Sequence, residues 1–217
     1  MGISLSNEEK AREKNQLKPS SILTRKIYEE KLKEYNERIR ELKDPKIIYV
    51  TDLVFCPLKR EYRREYTEMS FQFEPYMILG DMVHRGVEEL LSDFGYEVEK
   101  EITVPVDVDG EIYLLKGRID AFSPENIVEI KSAKSSVNIP QQHHLLQLKI
   151  YMSITGVQRG TLIYVTPDRF TEYTVTLGTF NLLDVLKSYL KMEKVPQWGW
   201  ECKNCPFAGF CPYKINY

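Results

Sequence analysis

The sequence predicts an α/β domain in which helices flank a central mixed sheet. Three observations carry that prediction. Apolar residues recur at helical spacing in several separated segments, with strand-like segments between them in the order helix, three strands, helix, strands, helix. A two-residue Asp109-Gly110 turn between the first two strand-like segments is a hairpin signal. The length of 217 residues suffices for one good-sized core, and 42% hydrophobic with 29% charged residues is ordinary for a soluble globular chain.

Each element follows from its own residues. Residues 6–44 are dense in Lys, Arg and Glu, and Tyr28, Leu32, Tyr35, Ile39 and Leu42 lie alternately four and three apart, ahead of a stop at Pro45. This reads as a charged N-terminal helical extension, 1–45, on a domain of 46–217. The stripe suits a helix laid on the domain surface, with self-association as the sharper alternative. Thr51 or Asp52 is expected to cap a short helix bearing Cys56 and the run KREYRREY, with Pro57 near its start.

From Pro75 to Phe94, Met77, Val83, Val87, Leu90 and Leu91 fit a helix closed by Gly95. EVEKEITVPVDV and EIYLLKGRIDAF form the expected hairpin, and NIVEIKSA follows after turn residues Ser123 to Asn126. Pro140 opens a helix to about Thr155, with Gly156 at its end. RGTLIYVT and TEYTVTL then read as strands, and TFNLLDVLKSYLKME as the last helix.

No apolar run approaches the roughly 18 residues needed to cross a bilayer. The N-terminus, MGISLSNEEKAREKN, lacks the apolar core of a secretion signal. The expectation is a cytoplasmic protein without a membrane partner. A formal net charge of -2 leaves nucleic acid open as a partner, because phosphate contacts need only a local basic surface.

Four cysteines are present: Cys56 alone, then Cys202, Cys205 and Cys211 with C-x2-C and C-x5-C spacing. In a reducing compartment such bunching points to a metal site, with zinc and an iron–sulfur cluster as the competing occupants. Zinc ribbons generally use two C-x2-C knuckles, whereas here one remote thiolate meets a C-terminal trio. Proline follows Cys56, Cys205 and Cys211, as it follows cluster cysteines in bacterial ferredoxin motifs. The cluster would join the two ends of the domain and close the fold over the sheet. Lys59, Arg60, Arg63 and Arg64 follow Cys56 on one helix, with Tyr62 and Tyr66 available to stack on bases. That makes a candidate phosphate-tracking surface, or else a solvated basic helix paired with Glu61, Glu65 and Glu68.

A second constellation carries the chemistry. Asp120 ends the GRID stretch, and Glu129 and Lys131, two apart on the next strand, share a face. A tight turn through SPEN would bring Asp120 beside them. Hard carboxylate oxygens select Mg²⁺ or Mn²⁺, and a neighbouring lysine can orient an attacking water. His84 lies one helical turn after Gly80, where the missing side chain leaves room for close approach. Gln147 and Tyr151 lie i,i+4 on a helix, an amide beside a phenol.

G-x3-H at 80–84, G-R-I-D at 117–120, E-I-K at 129–131 and Q-x3-Y at 147–151 stand in the order used by RecB-like nucleases of the PD-(D/E)XK superfamily. With the four cysteines, the chain resembles the CRISPR-associated exonuclease branch that carries an iron–sulfur cluster, over about residues 50 to 213. The resemblance implies a restriction-endonuclease-type core and a [4Fe–4S] cluster on Cys56, Cys202, Cys205 and Cys211. It also implies a Mn²⁺ or Mg²⁺ ion held by His84, Asp120, Glu129 and the carbonyl of Ile130. Lys131 would assist the water, and Gln147 and Tyr151 would orient the site or its DNA. The implied activity is exonucleolytic cleavage of single-stranded DNA, 5′-to-3′, processing DNA for CRISPR integration alongside an integrase complex. His143 and His144 match no metal position and read as packing or surface residues. The alternatives are a viral or mobile-element nuclease of the same branch, and a non-catalytic iron–sulfur or zinc DNA-binding module.

Overall fold

Alternating charges favour the first helix, α1 (Ile22–Leu42), where Arg25 and Glu29 pair one turn apart at 2.9 Å. The computed structural model describes residues 21–71 and 73–216, so the first part of the expected 1–45 extension lies outside it. The apolar stripe of α1 is turned inward. Tyr28 lies edge-on to Phe71 and Phe73, Tyr35 bonds the Thr67 carbonyl and Ser70, and Leu42 is buried. Tyr28 nevertheless stays 40% exposed, so the stripe is covered only in part. Lys31 reaches Asp81 at 2.9 Å, and Glu41 accepts from Lys116 at 2.7 Å, so α1 forms one wall of a cleft.

A three-residue strand follows, β1 (Ile47–Tyr49), too short to carry a periodic signal. Where the sequence predicts one helix there are two, α2 (Val50–Val54) and α3 (Pro57–Glu65). Phe55 and Cys56 are non-helical between them, and Pro57 opens the second, where its missing N–H costs nothing. Asp52 is not the cap. Tyr49 is, and Asp52 reaches back from the third helical position to accept the Tyr49 N–H at 3.1 Å. A short turn of helix, α4 (Thr67–Ser70), precedes α5 (Pro75–Asp93). Gly95, at φ 84°, and the Tyr96 N–H on the Leu91 carbonyl end α5 as its sequence predicts.

The hairpin of β2 (Glu97–Val108) and β3 (Glu111–Phe122) turns at Asp109 and Gly110, with φ 53° and 88°. Positive φ at both positions gives the twist that antiparallel strands need. Then come β4 (Ile127–Ser132), α6 (Gln142–Thr155), β5 (Arg159–Thr166), β6 (Arg169–Thr176) and α7 (Leu182–Leu190), with a 3₁₀ turn at Gly199–Asn204. The last helix is shorter than predicted because the Asn181 side chain caps it, accepting the Leu183 N–H at 3.0 Å.

The mixed sheet runs β1-β3-β4-β5-β6, with β2 on the other edge of β3. β4 and β5 pair in parallel, and Ile127 to Ile130 are all buried, as expected of a strand covered on both faces. Val83, Val87 and Leu91 of α5 pack on Val128, Ile130 and Ile163. Residues of α2, α6 and α7, among them Leu53, Leu148, Met152 and Leu186, pack with Ile127, Leu162 and Tyr164. No helix among the described residues is long and apolar enough to cross a membrane.

One irregularity positions everything that follows. On a single edge of β3, β1 pairs with Leu114 to Lys116 and β4 with Ala121 and Phe122 only. The GRID stretch, 117–120, therefore sits in the gap between two strands. On the other edge the ladder with β2 pairs Val98 with Ala121 and Lys100 with Ile119, but skips Glu99, which faces Asp120 with φ 49°.

Candidate active site and cysteine centre

Because β3 and β4 part at Asp120, its carboxylate takes over as partner of the β4 backbone. Asp120 Oδ2 accepts the Ile130 N–H at 2.7 Å, which leaves Oδ1 free to face the cleft. On β4, Lys131 Nζ donates to Glu129 Oε1 at 2.5 Å and to Gln147 Oε1 of α6 at 3.2 Å. From α5, His84 Nδ1 lies 3.5 Å from Asp120 Oδ1 and 3.7 Å from Glu88 Oε1.

The glycines of the motifs have steric reasons. A Cβ on Gly117 would sit 2.6 Å from the Tyr151 ring, so glycine lets the phenol lie across β3. A Cβ on Gly80 would come within 3.2 Å of Ser132 Oγ, so α5 approaches β4 closely at this turn. His84, Asp120, Glu129, Lys131, Gln147 and Tyr151 thus line one cleft of about 1170 Å³.

The electrostatics are those of tightly coupled buried charges. Burial, then the charge of Asp120, pushes Glu129 up to about 7 against the pull of Lys131. Burial opposes ionisation of Asp120 too, but His84, Lys131 and the Ile130 N–H hold its pKa below the ordinary value. Burial works against the Lys131 ammonium, yet Glu129 and Asp120 outweigh it and raise its pKa. For His84, burial is likewise overcome by Asp120 and Glu88, which push it up to about 9. Burial, with Glu129 and Asp120, keeps the Tyr151 phenol neutral by raising its pKa.

Glu129 Oε2 is buried without a hydrogen-bond partner. A carboxylate oxygen kept from water needs a donor or a cation, and hard oxygens with one imidazole suit Mg²⁺ or Mn²⁺. The residues present therefore fit a divalent ion. Glu88, only 5% exposed, was missed in the sequence; it groups with His84 and Asp120 within ligating distance, a trio that does not include Glu129. Its i,i+4 spacing from His84 was the available signal.

Cys56, Cys202, Cys205 and Cys211 line a single small cavity of about 20 Å³, and none forms a disulfide. Burial pushes the Cys56 thiol up to about 11, so a cation would be needed to hold it as thiolate near neutral pH. Tyr62 packs on Phe207 and Phe210 beside this cavity, so it is not displayed for base stacking.

Three of the four basic residues proposed for a phosphate-tracking surface on α3, Lys59, Arg60 and Arg63, are engaged by protein groups, whereas Arg64 is exposed. Arg60 is buried and donates to the carbonyls of Asp44, Pro45 and Ile47. Arg63 lies 3.6 Å from the buried Asp52 carboxylate, and Lys59 donates to Glu201 at 2.9 Å. Arg64, paired with Glu61 at 3.1 Å, keeps about a third of its side chain in solvent. The reason is the break at Phe55–Cys56, which re-aims α3 so that its charges satisfy buried carboxylates and carbonyls. His143 packs among Phe55, Trp198 and Trp200, and His144 Nδ1 meets the Tyr164 hydroxyl at 2.7 Å.

Residues 76–173 match the PD-(D/E)XK nuclease superfamily. Over 194 residues the chain is 35% identical to the CRISPR-associated exonuclease Cas4 of Saccharolobus solfataricus, covering 85% of this chain and 96% of that protein. The crystal structure of SSO0001 superposes with a TM-score of 0.79 at 35% identity, covering 88% of this chain and 98% of that one. Identity at this level along nearly all of both chains goes with a nuclease-type cluster of His84, Asp120, Glu129 and Lys131 in one cleft. The chain belongs to the Cas4 family of CRISPR-associated exonucleases within the PD-(D/E)XK superfamily, and it is a metal-dependent nuclease.

Proposed function

We propose that this protein is a cytoplasmic exonuclease that degrades single-stranded DNA 5′-to-3′ and prepares it for insertion into a CRISPR array with an integrase complex. The observation that carries the hydrolytic part is the buried, unpartnered oxygen of Glu129 beside Asp120 and Lys131. Polarity, strand preference and setting rest on the family resemblance.

His84, Asp120, Glu129 and the Ile130 carbonyl would hold the divalent ion, which when bound polarises the phosphodiester and stabilises charge on its oxygens. Asp120 is pre-aimed, since its Oδ2 is fixed on the Ile130 N–H. Lys131, held between Glu129 and Gln147, orients the attacking water against the phosphate. Tyr151, neutral and buried over Gly117, orients the site from beneath. Asp and Glu outnumber Lys and Arg along the cleft, so the ion also serves to make it hospitable to DNA.

The four cysteines are proposed to carry a [4Fe–4S] cluster with a structural role. One remote thiolate with a C-terminal trio, and proline after Cys56, Cys205 and Cys211, favours such a cluster over a zinc ribbon.

The test is an anaerobic preparation incubated with single- and double-stranded DNA labelled at either end, with Mn²⁺, Mg²⁺ or chelator. The expected result is early release of a 5′ label from single strands, dependent on the ion. Preference for duplex, early release of a 3′ label, or cleavage in chelator would contradict it. Iron and acid-labile sulfide in the preparation test the cluster, and stoichiometric zinc would overturn it.

A further inference from the structure

The metal ligands expected from sequence do not include Glu88, whose nearest cationic group is the His84 imidazole at 3.7 Å. It stands one turn beyond His84 on α5, so the two side chains share a helix face. Glu88 is buried, and its Oε1 has no hydrogen-bond partner. Among the described residues only two carboxylate oxygens are buried and unpartnered, Glu88 Oε1 and Glu129 Oε2, and both residues line this cleft. A carboxylate oxygen kept from water without a hydrogen-bond donor is unfavourable unless a cation satisfies it.

The distances suit direct coordination. An octahedral ion with bonds of about 2.1 Å sets its ligand atoms about 3.0 to 4.2 Å apart. His84 Nδ1 lies 3.7 Å from Glu88 Oε1 and 3.5 Å from Asp120 Oδ1, both within that interval. One ligand atom from each of His84, Glu88 and Asp120 falls within 4.8 Å of the others. The 3.7 Å separation is too long for a hydrogen bond that would steady the imidazole.

We propose that Glu88 is a further side-chain ligand of the divalent ion, joining His84 and Asp120 through Oε1. This deepens the metal-dependent reading above and rests on it. His84, Glu88 and Asp120 bring two carboxylates and one imidazole within ligating distance, which weights the site towards hard ions such as Mn²⁺ and Mg²⁺.

Calorimetric titration of the full chain with Mn²⁺, without DNA, tests the assignment. Its cysteine site is loaded, and its visible spectrum and melting temperature are checked for every variant. Glu88→Gln is expected to weaken Mn²⁺ binding at least about tenfold. It is expected to weaken binding again in a His84→Ala background, because a ligand acts whether or not the imidazole is present. Unchanged binding by Glu88→Gln would overturn the assignment, as would an effect that vanishes once His84 is removed. Should Glu88→Gln fail to fold, Glu88→Asp keeps the charge but is a methylene shorter. Weakened binding in that variant supports the ligand role, and unaltered binding refutes it. Asp120→Ala separates the two readings. Wild-type binding lost in Asp120→Ala but kept in Glu88→Gln sinks only the Glu88 assignment, whereas a wild type that binds no Mn²⁺ sinks both.

Discussion

The buried carboxylate of Glu201 accepts the backbone N–H of Cys56 at 2.9 Å through Oε1, and that of Trp198 at 2.9 Å through Oε2. It binds together two stretches of chain that both carry cysteines of the candidate cluster. Lys59 donates to the same Oε1, and the Trp198 indole N–H reaches the Val54 carbonyl at 2.8 Å. Protein contacts alone thus hold Cys56 against the C-terminal segment.

If this latch assembles the cage, Glu201→Gln should lower iron and sulfide per chain and reduce stability. Hydrogen bonds to a buried charged group are worth about 1.5–3 kcal/mol each, so the loss of charge should lower the melting temperature by several degrees. Iron content and melting temperature equal to wild type would show that the latch is dispensable.

Gly117→Ala should disturb the site from beneath. Its Cβ would press 2.6 Å from the Tyr151 ring and 3.0 Å from a Val50 methyl. Overpacking of this kind costs about 1–3 kcal/mol, and displacement of Tyr151 should lower cleavage beyond what the stability loss explains. Gly86→Ala on α5 is the control. Nothing lies within 4 Å of its Cβ, and alanine in a helix should stabilise by about 0.5–1 kcal/mol. A fully active Gly117→Ala would remove Tyr151 from the account.

The motif residues were legible in the sequence because each obeys a local rule. Glu129 and Lys131 share a strand face, Gln147 and Tyr151 a helix face, and Asp109-Gly110 fixes the register of the hairpin that carries Asp120. What was not legible depends on tertiary placement. Lys59 and Arg60 look like a basic surface until the break before Pro57 turns them onto Glu201 and the Asp44–Ile47 carbonyls. The α1 stripe looks unpartnered until Phe71 and Phe73 cover part of it. Glu88 is one of many glutamates in a helix, and only burial without a partner singles it out.

Lys131→Ala should lower the cleavage rate by about 10²- to 10⁴-fold, while Mn²⁺ affinity changes much less, since its ammonium is no ligand. Gln147→Ala should lower the rate less, because Glu129 still holds Lys131 from the other side. Single-turnover cleavage rates, alongside Mn²⁺ titration, check both. Equal rates for Lys131→Ala and wild type would contradict the role given to the lysine.

Acid should weaken the junction between α6 and the cysteine segment. Burial first, then the charge of Lys131, lowers the pKa of His143 from its ordinary 6.5 to about 4. The unfolded chain therefore binds this proton more readily than the folded one. The stabilisation is full above 6.5 and is lost as pH falls from 6.5 towards 4. Urea midpoints at pH 7.5, 6 and 5 should fall more steeply for wild type than for His143→Gln. Parallel curves would refute the assignment.

The most direct measurement is Mn²⁺-dependent cleavage of end-labelled single-stranded DNA by Asp120→Asn. This variant keeps an oxygen for the Ile130 N–H while removing the charge that faces His84. The account predicts a folded protein with its cysteine centre intact and cleavage reduced at least about a hundredfold. Cleavage at the wild-type rate would contradict it.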